Sequence, residues 1–184
     1  MTTNILTKKQ LSIKAQTFAT IISVIAAVAL PQIFHIIGAV SGLNTGLGEA
    51  FLPMHLPIIL TGLIAGPYAG AISGAISPLL SFALSGMPGL AMLPFMMIEL
   101  FVYGLASGLM KNIKMPCIMK VLSVQAAGRA VRAAAILIAT YGFGYEKISV
   151  SIIYTSIAVG LFGIILQLVL IPLIIYRITD KNEQ

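Results

Sequence analysis

Long apolar blocks fill this chain, separated by short polar, glycine-rich or proline-containing breaks. Blocks at 15–37, 51–65, 68–84, 91–110, 121–143 and 150–176 each read as a helix. The breaks are a Gly-rich polar loop over 38–50 with Asn44 and Glu49, the tight Gly66-Pro67 turn, a Gly86–Gly89 turn with Pro88, a basic loop over 111–120 and a short loop over 144–149. The pattern predicts an all-α membrane protein of six transmembrane helices, one domain over 1–184. The basic N-terminus and first apolar block resemble a secretory signal, but the block is too long and five more follow. It reads as helix 1, kinked by Pro31. A span takes about 20 residues; the second and third helices fall short of this and either thin the bilayer locally or form a re-entrant hairpin.

Composition agrees. The chain has 184 residues, 59% hydrophobic and 9% charged, against about 25% charged in a soluble domain, so lipid is its solvent and a multi-pass position in the cell membrane is expected. A net charge of +6 raises nucleic acid as a partner, but no basic face or aromatic platform accompanies it, and that partner is set aside. The basic residues orient the helices instead. With a cytoplasmic N-terminus, Lys8, Lys9, Lys14, Lys111, Lys114, Lys120, Arg177 and Lys181 all lie inside, against Lys147 outside. Both termini are then cytoplasmic. The single cysteine, Cys117, excludes an internal disulfide.

Three charges interrupt the fourth and fifth blocks: Glu99, Arg129 and Arg132. An ionisable group at the bilayer centre costs roughly 2.5–3.5 kcal/mol, so such groups face protein or a wet cavity. Glu99 precedes Lys111 by twelve residues and Arg132 follows Lys120 by twelve, which sets both about 18 Å above the cytoplasmic surface. Gln125, Arg129 and Arg132 share one helix face; Glu99 and Tyr103 share another. The plainer reading is an ion pair between Glu99 and one arginine, locking two helices. One pair leaves a spare guanidinium, which can recognise a polar or anionic ligand group through forked hydrogen bonds. Arg132→Ala is then expected to abolish ligand binding without abolishing folding.

Small residues recur at Ala15, Ala19, Ser23 and Ala27, at Gly66, Gly70 and Gly74, and at Gly104 and Gly108. The glycine stripes read as internal helix packing, whereas the flat stripe on helix 1 also suits an external partner. Met87, Met92, Met96 and Met97 cluster near one helix end, where core filling is the default and a pliant ligand lining the alternative. His35 and His55 have no ligand spacing, so no metal is expected. There is no phosphate loop, metalloprotease helix or serine beside a base; neither enzyme activity nor a cofactor is expected.

Six short-looped helices, a long first outer loop and the Ala15-x-x-x-Ala19 pair resemble the S subunits of energy-coupling factor (ECF) transporters. Pro53-Met54-His55-Leu56-Pro57, Gly66-Pro67, Gly70, Gly86-Met87-Pro88, Glu99, Tyr103-Gly104 and Gly128-Arg129 are similar to the vitamin-type members. The resemblance implies a high-affinity binding subunit for a vitamin or precursor, without ATPase activity. It further implies docking on a transmembrane coupling subunit with two ATPase subunits, with Ala15 and Ala19 as the coupling motif. Carried over as substrate-binding candidates are Asn44, Glu49, Glu99, Tyr103, Arg129 and Arg132, then Gln125 and Gln167. Nickel and cobalt members carry histidine after the initiator methionine, where this chain has Thr2. The depth of the Glu99–arginine cluster leaves two roles open: ligand contact, or floor of the pocket. A self-sufficient secondary carrier of a small polar solute is the rival, and no inverted pair of broken helices favours it.

Overall fold

The computed structural model describes residues 11–42 and 46–180. Among the described residues every regular element is helical: α1 (Ile13–Ser41), α2 (Gly46–Phe51), α3 (His55–Ala65), α4 (Pro67–Ser85), α5 (Leu93–Leu109), α6 (Cys117–Leu137), α7 (Ile152–Val159) and α8 (Leu161–Asp180), with a π turn at Ile138–Gly142 closing α6. Among the described residues five segments are long and apolar enough to cross a membrane: Ile13–Ser41, Gly48–Ala65, Pro67–Ser85, Cys117–Gly142 and Leu161–Ile178.

Local chemistry sets the ends. Ser12 caps α1 by accepting the Ala15 amide at 3.3 Å, and Gly42 terminates it in a left-handed conformation. Gly66, at φ 109°, makes the α3–α4 turn by itself, and Pro67 starts α4 where no amide donor is needed. The α4–α5 contact is the most extensive in the bundle. It is a backbone contact: a methyl group on Gly70 would strike the Gly104 carbonyl, one on Gly74 the Leu100 carbonyl, and one on Gly108 the Pro67 backbone. The glycine stripes are thus used inside the fold. Exposed Phe18, Ile21, Ile22, Ile25, Ile33 and Ile36 on α1 face the surroundings, as a lipid-facing surface requires.

The elements depart from the sequence expectation at three places. The helix expected over 51–65 starts at His55, after a separate short helix. Pro53 disfavours a helical Leu52, and Leu52 adopts φ 49°. The helix expected over 150–176 divides at Gly160, whose ψ of 3° turns the chain. Gly160 and Gly163 lie against Leu52 and the Phe51 backbone, so the α2–α3 junction fits into the break. The helix expected over 91–110 shortens to the 17 residues of α5, because the chain before Leu93 is spent in turns at Gly89–Met92; α3, with 11 residues, is shorter still, as expected of the second helix.

Lys120, expected in a solvated loop, is 2% exposed inside the first turn of α6. Its Nζ donates to the Lys111 carbonyl at 3.0 Å, and Lys111 Nζ donates to Ile64 O at 2.7 Å. The ammonium of Lys111 therefore satisfies a carbonyl at the C-terminal end of α3, where a cation is favoured. Burial lowers the pKa of Lys111 from its ordinary range.

Candidate functional site

Helices α5 and α6 bring the membrane-depth charges together. Arg132 Nη1 donates to Glu99 Oε2 at 2.8 Å, and the Tyr103 hydroxyl, one turn along α5, donates to Glu99 Oε1 at 2.9 Å. Glu99 is 1% exposed; both of its oxygens are engaged, as a buried carboxylate demands. Gly128 on α6 lets the Tyr103 ring lie against that helix, since a methyl there would strike the ring. Arg129 carries a buried Nε with no hydrogen-bond partner. The arginine engaged by Glu99 is thus Arg132, a choice the sequence left open, and Arg129 is the spare guanidinium.

Glu99, Arg129 and Arg132 border a cavity of about 430 Å³ between the C-terminal half of α1 (Pro31, His35) and the N-terminal half of α5 (Met96, Glu99), with Met92 just before it. Arg129 and Arg132 enter it from α6, Thr155 and Ser156 from α7, and Glu49 from α2. A volume of this size is within the range of small-molecule sites, about 300–1,000 Å³. The remaining lining includes Pro53, Met54, Met87 and Pro88 together with Leu52, Ile152 and Val159. Of the methionines at this helix end, Met87, Met92 and Met96 border the hollow, Met92 and Met96 also pack against the core, and Met97 is not part of the lining.

The other sequence candidates separate. Glu49 is exposed on the cavity rim. Asn44 lies outside the described residues. Gln125 and Gln167 are buried and bonded to each other at 3.0 Å, and Gln167 donates to the Leu52 carbonyl at 3.1 Å. They tie α6, α8 and the α2–α3 junction together and do not border the cavity. Tyr103 reaches it only through Glu99. Ala15 and Ala19 are half-buried on α1. Their neighbours Gln16, Thr17 and Thr20 border a groove of about 690 Å³ with Gly66, Tyr68 and Lys111, at the other end of the bundle.

Sequence reasoning missed His55. It is 4% exposed, borders the cavity, packs its ring tilted at 55° against Tyr103 with centroids 5.3 Å apart, and holds an Nδ1 with no hydrogen-bond partner. Its signal was the stretch Pro53–Pro57, in which His55 is the first residue of α3. His35, set aside with it for lack of metal spacing, borders the same cavity beside Gly48.

A charged, apolar-walled hollow between membrane-length helices is the geometry of a solute-binding membrane protein. The family model described as "ECF transporter, substrate-specific component" matches residues 9–175, nearly the whole chain. No curated protein and no solved structure matches significantly. With so much of its length accounted for, the chain belongs to the ECF transporter substrate-specific component family, whose members are substrate-binding membrane subunits for micronutrient uptake.

Proposed function

We propose that the 430 Å³ cavity is the substrate site, and that it captures a vitamin or vitamin precursor from outside the cell. In this reading the chain crosses the membrane six times with both termini in the cytoplasm. It delivers its substrate when a transmembrane coupling subunit and two ATPase subunits supply the energy of ATP. Ala15 and Ala19 on α1 form the contact with that coupling subunit. The observation that carries the reading is the placement of Glu99, Arg129 and Arg132 on the wall of a sizeable hollow. Charges with a purely structural role have no need of an adjoining cavity.

Purified full chain is expected to release a small water-soluble molecule on denaturation, identified by mass spectrometry. In liposomes the chain alone is expected to bind that molecule without accumulating it under an ion gradient. Accumulation by the chain alone would establish the secondary-carrier reading. A folded chain that releases no molecule and binds none from a micronutrient mixture would end the binding reading.

A further inference from the structure

Two guanidinium groups and one buried carboxylate border the cavity, and the hydrogen bonds decide which charge is already matched. Both Glu99 oxygens are taken, one by Arg132 at 2.8 Å and one by Tyr103 at 2.9 Å. Arg132 is therefore neutralised within the protein. Arg129, one turn away on α6, borders the same cavity, has its Nε buried without a hydrogen-bond partner, and forms no ion pair among the described residues. An unmatched guanidinium in apolar surroundings is among the costliest groups a membrane protein can keep. The other acid on the lining, Glu49, is exposed at the rim, where solvent screens it.

We propose that Arg129 holds an oxyanion of the bound molecule, so that the site takes a monoanionic solute. Its carboxylate lies on the Arg129 fork, which matches such a group in a bidentate manner. Its flat apolar or aromatic body lies among Met54, Met87, Met92 and Met96, whose thioethers adapt to ring shapes. Arg132 is a positioning residue here, held by Glu99 so that Arg129 alone carries net charge. The proposal rests on the reading of this cavity as the substrate site.

The test uses the full chain and its Arg129→Gln and Arg129→Lys variants, each purified from cells in rich medium and placed in phosphatidylcholine nanodiscs. Bound molecules are released and identified by mass spectrometry. Binding is also measured for a probe set of acids with their neutral amides (benzoate and benzamide, nicotinate and nicotinamide) and inorganic phosphate. The expected result is that the wild-type chain releases a soluble acid. Re-added, that acid binds R129Q with affinity lower on the order of 100-fold and R129K roughly tenfold lower, and acids from the probe set outcompete their amides for its site. R129K keeps the charge and stands in should R129Q fail to fold. A neutral or cationic released molecule, or unchanged affinity in both variants, overturns the anion assignment and leaves the binding reading standing. Release of a phospholipid instead, or loss of acid binding when phosphatidylglycerol replaces phosphatidylcholine, assigns Arg129 to a lipid headgroup and overturns the proposal. A folded chain that releases nothing and binds no probe refutes the substrate-site reading together with this inference.

Discussion

Arg132 and Glu99 form a 2.8 Å ion pair that joins α6 to α5 at the edge of the cavity, with the carboxylate 1% exposed. Breaking a buried pair by removing one partner strands a charge, whereas removing both does not. Glu99→Ala is expected to destabilise the chain by about 3–5 kcal/mol. The double variant Glu99→Gln with Arg132→Gln is expected to lose clearly less. Thermal or denaturant unfolding in detergent measures both, and a double variant less stable than Glu99→Ala would refute a pairwise role.

The α4–α5 seam tolerates no side chain. Gly104→Val is expected to prevent recovery of folded chain, because a Cβ there meets the Gly70 carbonyl and the Ala71 amide. Gly142→Ala, whose Cβ would find only Ile138 Cγ2 at 3.8 Å, is expected to change stability by less than about 0.5 kcal/mol. Size-exclusion recovery and unfolding midpoints compare the two. A folded Gly104→Val chain with wild-type stability would contradict the contact.

Gln167 spans from α6 to the α2–α3 junction through Gln125 and the Leu52 carbonyl. Leu52 sits at φ 49°, a conformation that costs a non-glycine residue about 1–2 kcal/mol. Gln167→Leu is expected to lose about 1–3 kcal/mol of stability and to raise hydrogen exchange across Glu49–His55 while α4 and α5 stay protected. Uniform change, or none, in the exchange pattern would count against this tether.

Glu49 stands exposed at the rim of the cavity, where charge acts on approach rather than on the final fit. With an anionic substrate, Glu49→Gln is expected to raise the association rate roughly threefold at low salt and to leave dissociation unchanged. Stopped-flow binding at two ionic strengths reads both constants. A slower association would point to a cationic substrate.

Much of the membrane architecture was written in single residues. Gly66 and Pro67 mark a turn that no other pair makes so cheaply, and the four-residue glycine spacing announced the α4–α5 contact. Depth counting from Lys111 and Lys120 brought Glu99 and Arg132 to one level before any coordinates. The sequence could not say which arginine the carboxylate would choose, because positions 129 and 132 share a face and side-chain reach decides between them. It also could not separate Gln125 from Arg129. Their common face is wide enough that one side chain meets α8 and the other meets the cavity. Lys120 and Gly160 misled for a different reason: a lysine beside a loop looks solvated and a lone glycine in an apolar run looks tolerated until the neighbouring segment is known. His55 escaped because its role comes from a ring packed on Tyr103, a contact 48 positions distant.

The glycine seam has a mechanical consequence. Helices joined backbone to backbone have no rotamers to rearrange and no cushion between them, so α4 and α5 behave as a fixed stator. Side chains that can exchange partners lie on the other side of the bundle instead, where Gln125 of α6 and Gln167 of α8 meet the Leu52 carbonyl.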